Sequence, residues 1–165
     1  RIDKRPEECT IDQIRQSNLQ EYASKRDFNV TPEPPEGKKQ GEGGVFVVQE
    51  HHARRLHHDL RLEREGVLKS WAVPKGIPAQ SGEKRLAVQT EDHPLEYRNF
   101  EGTIPLGQYG AGTVEIWDKG NYELKVSAQD KIEFTLNGKR LHGRYVLTKF
   151  KKAGNKDWLL LKTRD

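Results

Sequence analysis

Four of the six histidines of this 165-residue chain fall within His51-His52-Ala53-Arg54-Arg55-Leu56-His57-His58, and Asp59-Leu60-Arg61-Leu62-Glu63 follow directly. On a β-strand, side chains alternate between faces. His57, Asp59, Arg61 and Glu63 then share one face, and Leu56, His58, Leu60 and Leu62 share the other, which reads as core. A row of ionisable groups is ordinarily a solvated face. Here the row opens with His-x-Asp, and His51 arrives from the preceding strand. Two imidazoles and a carboxylate, with further positions left to water or a substrate oxygen, make a site for Mn²⁺, Fe²⁺ or Zn²⁺. Arg61 beside it points to phosphoryl chemistry: the cation polarises an oxygen or acidifies a bound water, and the guanidinium grips the remaining oxygens with two parallel donors. His58 reads as packed or hydrogen-bonded, and His52 as exposed.

A second constellation, Glu91-Asp92-His93-Pro94-Leu95-Glu96-Tyr97, follows the apolar run Arg85-Leu86-Ala87-Val88. By itself it reads as a loop with an Asx-type turn. Beside the first cluster, His93 at a strand end becomes a phosphate ligand or general acid, and Tyr97 a further donor. The glycine-rich stretch 102–112 lacks the Lys-Ser/Thr of a P-loop and reads as a tight connection between strands. Cys9 has no evident base nearby and is not read as a nucleophile.

The elements that must carry these groups are short and β-prone. From residue 45 the apolar period is two, with runs at 45–49, 56–62, 68–73, 85–90, 113–117, 122–126, 132–136, 144–148 and 158–162. Turn signals at Gly66, Pro74-Lys75-Gly76, 107–112, Lys119-Gly120 and Asn137-Gly138 separate them. Such spacing without helical runs predicts a mainly β fold, a closed antiparallel β-barrel, since closure leaves so polar a chain no open sheet edge. Thr10 caps an expected short N-terminal helix through Ile11, Ile14, Leu19, Tyr22 and Ala23, which prolines 32, 34 and 35 end. The expectation is a single domain: a helix and proline/glycine-rich loop over 1–44 packed on a barrel over 45–165.

Composition sets outer limits. Hydrophobic and charged residues each make up 33%, and the net charge is +4, a balance that suits a polyanionic partner without demonstrating one. A lone cysteine points to a reducing compartment. No apolar run approaches the ~18 residues a membrane helix needs, so membrane and secreted readings are set aside in favour of a cytoplasmic one. Beginning at Arg1 without methionine, the chain reads as a trimmed or excised segment.

Several strings together resemble one family. They are Phe46-Val47-Val48-Gln49-Glu50-His51, the run from Arg55 to Glu63, Leu68-Lys69-Ser70-Trp71-Ala72-Val73-Pro74-Lys75-Gly76, Glu91-Asp92-His93-Pro94-Leu95-Glu96-Tyr97, Phe100-Glu101-Gly102-Thr103-Ile104-Pro105 and Tyr109-Gly110-Ala111-Gly112-Thr113-Val114. Upstream, Tyr22-Ala23-Ser24-Lys25-Arg26-Asp27-Phe28 and Thr31-Pro32-Glu33-Pro34 match an N-terminal motif. From about Tyr22 to the C-terminus the chain resembles the 3′-phosphoesterase module of the ATP-dependent DNA ligase D proteins, which also exists as a stand-alone enzyme. The resemblance implies a β-barrel enzyme that uses Mn²⁺, or another divalent metal such as Zn²⁺ or Co²⁺. Such an enzyme removes a 3′-terminal ribonucleoside from a primer strand and hydrolyses the resulting 3′-phosphate, leaving a 3′-hydroxyl for repair by end joining. Its substrate is the 3′ end of DNA or of an RNA-terminated DNA primer-template, and a ligase and polymerase of the same pathway are implied partners.

Carried over by position, His51, His57 and Asp59 hold the metal, and Arg61, His93 and Tyr97 surround the scissile phosphate. Arg26, Asp27, Glu33 and Gln49 match positions needed for one or both activities. Lys75, Arg85 and Glu63 match polar residues near the site. The resemblance casts Arg61 and a protonated His93 as stabilisers of charge on the phosphorus oxygens, with water at the metal as nucleophile. Two other classes stay open: a nucleic-acid-end-binding barrel gripping with Trp71 or Tyr109, and an oxygenase using the two-His-one-carboxylate set.

Overall fold

The alternation that begins at Val45 becomes a ring of strands in the computed structural model, which describes residues 19–28, 30, 33, 44–150 and 156–163. The elements are helix α1 (Gln20–Ser24), β1 (Val45–His52), β2 (Leu56–Arg64), β3 (Val67–Val73), β4 (Lys84–Pro94), a 3-10 turn (Leu95–Asn99), β5 (Gly102–Ile104), β6 (Gly112–Ser127), β7 (Lys131–Gly138), β8 (His142–Lys149) and β9 (Asp157–Lys162). Strands pair in the order β1-β2-β3-β4-β9-β8-β7-β6, and β6 returns to β1. Every pairing is antiparallel. The result is the expected closed barrel, eight strands round, with β5 branching onto the start of β6. Among the described residues no helix is long and apolar enough to cross a membrane.

Two apolar layers lie on the two sides of one sheet. The barrel interior is filled from all around the ring by Phe46, Val48, Leu60, Leu62, Trp71, Phe134, Tyr145, Leu147 and Leu160 among others. Trp71 is 1% exposed and meets Trp158 edge-on, so it is not available to grip a strand end. Outside the barrel, Leu19 and Tyr22 of the N-terminal segment pack with Val67, Leu68, Leu95, Tyr97, Phe100, Ile104 and Val114. This outer layer covers the polar face of β1 and β2, so a row that alternation alone would leave in water is buried. Leu56, expected in the core, is exposed because it opens β2 beyond the packed region.

Other expectations shift. The turn at Lys119-Gly120 is absent, because β6 runs unbroken past it, from β1 on one side to β7 on the other. Gly120 is required instead by close strand approach, since a Cβ there would strike the Asn137 carbonyl. The hairpin at Asn137-Gly138 exists with its tip displaced: Asn137 still pairs with His142, and Lys139, Arg140 and Leu141 make the turn. Their amides donate to the carboxylate of buried Asp118 at 2.9–3.1 Å, which outweighs the local preference for a two-residue turn. Strand β4 extends through Pro94, so the segment read as a loop at Glu91 to His93 is strand. Helix α1 covers Gln20–Ser24, while Thr10, Ile11, Ile14 and most of the proline/glycine-rich segment lie outside the described residues.

Candidate metal and phosphate site

Antiparallel register puts the chemistry side by side. His51 faces His57, Gln49 faces Asp59 and Val47 faces Arg61 across β1 and β2. The two imidazole centroids are 4.8 Å apart. His57 Nε2 lies 3.2 Å from one Asp59 oxygen and His51 Nδ1 lies 3.6 Å from the other. Each ring's second nitrogen meets a backbone carbonyl: His51 Nε2 donates to Gly110 O at 2.8 Å, and His57 Nδ1 to Arg55 O at 3.2 Å. A carbonyl can only accept, so these bonds orient the rings with His51 Nδ1 and His57 Nε2 turned towards Asp59, where each nitrogen donates to the carboxylate when protonated and offers a lone pair to a cation when not. One ligand atom from each of the three residues lies within 4.8 Å of the others. The donor set thus fits a borderline divalent cation, with backbone bonds orienting both imidazoles.

Charge within the set is tuned by contact. Burial alone would raise Asp59, but hydrogen bonds from His51 and His57 and the Arg61 charge outweigh it and hold the carboxyl well below its usual range. Burial likewise disfavours protonated His57, yet its bond to Asp59 and that charge win, and its pKa is raised.

Next to the set, Arg61 is 3% exposed and held on several sides. Its Nε donates to Gln49 Oε1 at 2.6 Å and its NH1 to Ser70 Oγ at 2.8 Å, while NH2 lies 3.5 Å from Asp59. Gln49 in turn donates to the carbonyls of Tyr97 and Phe100. The expected two-pronged grip is therefore largely committed inside the protein, with NH2 the loosest end. Arg26 reaches in from the N-terminal segment, 3.0 Å from Glu33, 3.1 Å from Glu91 and 3.4 Å from His93 Nε2. Tyr97 donates its hydroxyl to Glu33 at 2.8 Å, and burial pushes that phenol well above its ordinary value.

His93 differs from the expected imidazolium. Burial, then Arg61 and Arg26, push it well below the ordinary histidine value, so the ring is neutral. Its Nδ1 lies 2.9 Å from the Glu91 carbonyl and 3.1 Å from Arg61 NH1, and a neutral nitrogen serves one of them at a time.

His51, His57, Asp59, Arg61, His93, Tyr97, Arg26 and Glu33 all line one pocket of about 290 Å³, with Gln49 directly behind Arg61. Other expected residues stand apart from it. Asp27 is exposed beside Arg26. Lys75 is exposed beyond the end of β3, and Arg85 donates to the Lys75 carbonyl, bracing that loop. Glu63 is buried four residues along from Asp59, near the Val45 amide. His58 is packed against Trp117 and Glu50, and His52 is exposed, both as expected.

Some participants were not singled out from the sequence. Glu91, buried between Lys25 and Arg26, shares a face with His93 at strand spacing, a signal hidden while the segment read as loop. Ser70 and the Gly110 carbonyl carry no sequence signal, since tertiary approach alone brings them in.

Residues 49–149 match the family model described as the DNA Ligase D 3′-phosphoesterase domain, a span that covers most of the chain and includes His51, His57, Asp59, Arg61, His93 and Tyr97. The chain belongs to this family. Similar full-length proteins are multifunctional non-homologous end joining proteins LigD. The one from Mycolicibacterium smegmatis is 49% identical over 160 residues, covering 89% of this chain and 21% of the relative. That of Mycobacterium bovis is 53% identical over 135 residues, or 78% and 18%. That of Pseudomonas aeruginosa is 47% identical over 157 residues, or 89% and 19%. This DNA ligase D 3′-phosphoesterase domain therefore spans about a fifth of the length of the curated relatives it matches.

Proposed function

We propose that this chain is a metal-dependent phosphoesterase that heals DNA 3′ ends, removing a 3′-terminal ribonucleoside and hydrolysing a 3′-phosphate to leave a 3′-hydroxyl. The observation that carries the reading is convergence: His51, His57 and Asp59 open into the same pocket as Arg61, Arg26 and His93. Around it Lys25, Arg26 and Arg61 offset Glu33, Glu91 and Asp59. A divalent cation then makes the pocket net positive, which suits a phosphate and not a neutral substrate.

His51, His57 and Asp59 would hold Mn²⁺, with Zn²⁺ or Co²⁺ as alternatives, and the ion would supply Lewis acidity to a phosphoryl oxygen and acidify water. The protein's own groups do the rest. Arg61, braced by Gln49 and Ser70, turns its NH2 end to the anion without reorganising. Arg26, fixed by Glu33 and Glu91, adds a second guanidinium. The neutral His93 ring offers a hydrogen bond to a phosphate oxygen, and takes up a proton for the leaving oxygen when phosphate charge arrives beside it. Tyr97, held neutral, orients Glu33 under Arg26. In the larger relatives' setting the domain would act in the cytoplasm, beside a ligase and polymerase of one end-joining pathway.

The test is a duplex primer ending in a 3′-ribonucleotide or a 3′-phosphate, incubated with the chain and Mn²⁺. Shortened or dephosphorylated ends that need both the metal and His57 support the reading. Tight binding with unchanged ends would instead leave a nucleic-acid-end-binding barrel.

A further inference from the structure

The connection from β5 to β6 is ordered, yet it holds apolar groups out to solvent at the pocket mouth. Two successive turns shape it, Gln108 N to Pro105 O and Ala111 N to Gln108 O. Gly107 and Gly110 take left-handed backbone that few side chains tolerate. Leu106 is 94% exposed and Tyr109 is 48% exposed. A single exposed leucine is ordinary. Here it shares a loop with an exposed aromatic ring that lines the pocket, and the residue after Tyr109 supplies the carbonyl that orients His51.

The surroundings of that ring are cationic. The Lys25 ammonium stands 4.6 Å from the Tyr109 centroid and the Arg26 guanidinium 5.4 Å. On the adjacent rim the β1–β2 turn exposes Arg54 and Arg55, and Gly112 packs so closely on His52 and Ala53 that loop and turn form one continuous edge. A half-exposed aromatic ring with cations over it, at the mouth of the pocket, is the kind of arrangement on which nucleobases stack while basic side chains follow the backbone.

We infer that Tyr109, flanked by Leu106, is the platform on which the terminal base of the 3′ end stacks, with Arg54 and Arg55 taking the preceding backbone phosphates. The inference rests on the reading of the pocket as a DNA 3′-end phosphoesterase and names how that end is recognised.

The experiment titrates a 3′-phosphate primer-template bearing 2-aminopurine as its last base with this chain in EDTA, where hydrolysis is halted. The same duplex with an abasic last sugar, followed by a distant fluorophore, is titrated in parallel. Wild-type protein is expected to quench the 2-aminopurine. Tyr109→Phe keeps the quench, while Tyr109→Ala abolishes it and weakens binding on the order of tenfold. On the abasic end Tyr109→Ala binds as wild type does, because the lost contact is with the base. No quench by wild type, equal weakening on both ends, or no weakening at all overturns the platform. Failure of wild type to hydrolyse either end with Mn²⁺ sinks the enzymatic reading instead, and the quenching result, read without hydrolysis, stands apart from it.

Discussion

Gln49 is fully buried and uses its whole amide: Nε2 donates to the Tyr97 and Phe100 carbonyls at 2.8 and 3.0 Å, and Oε1 accepts from Arg61 Nε at 2.6 Å. Gln49→Ala removes all three bonds, taking a partner from a buried guanidinium N–H and from the Phe100 carbonyl, while the Tyr97 carbonyl keeps the Phe100 amide. A bond to a charged donor contributes about 1.5–3 kcal/mol and each neutral one about 0.5–1.5, so the variant should lose about 2.5–6 kcal/mol, a large part of a typical domain's stability. Urea unfolding reads this as a lower midpoint at unchanged slope. The second effect is on Arg61, which keeps Ser70 but loses the bond that fixes its near edge. Displacement of such a group by about 1 Å costs on the order of a hundredfold in rate, so hydrolysis of a 3′-phosphate end should fall by that order in protein that remains folded. Gln49→Glu separates the effects: it retains an acceptor for Arg61 but aims a carboxylate at two carbonyls, so stability falls further than activity. A Gln49→Ala protein with an unshifted midpoint and a rate within about threefold of wild type would refute the positioning argument.

His57→Ala and Asp59→Ala should each abolish hydrolysis and lower Mn²⁺ affinity in titration calorimetry while far-UV circular dichroism stays native; normal turnover by either would remove them from the metal set. Arg61→Lys should lose at least about a hundredfold in rate, because an ammonium cannot reach Gln49, Ser70 and an anion together; near-normal rates would mark Arg61 as peripheral. Asp118→Ala deprives four amides of their acceptor and should cost about 2–4 kcal/mol in urea unfolding, with kcat of the folded fraction unchanged. Asp59 is held below the unfolded carboxyl value of about 3.9, so its stabilising contribution is present above that value and is lost as pH falls through the lower folded one. The metal-free wild type should therefore weaken more steeply below pH ~4 than Asp59→Asn does, and parallel pH curves would contradict the depressed pKa.

Much of this protein was legible in one dimension because strand geometry is local. The period-two pattern from Val45 placed His57, Asp59 and Arg61 on one face, and barrel closure followed from many short strands on a polar chain. What alternation cannot say is what covers a face. Leu19, Tyr22 and the 3-10 turn come from distant parts of the chain to bury that row, and burial beside two guanidiniums makes His93 neutral where an imidazolium was expected. The same limit applies to backbone partners, since the carbonyls of Gly110 and Arg55 that orient the imidazoles have no side chain to announce them. Local turn chemistry also yielded where a long-range bond was stronger, as when Asp118 moved the hairpin tip past Asn137-Gly138 and Gly120 served strand approach instead of a bend. Residue type and spacing determined which groups could act; their protonation, orientation and access depended on contacts between segments far apart in the chain, which form once the barrel has closed.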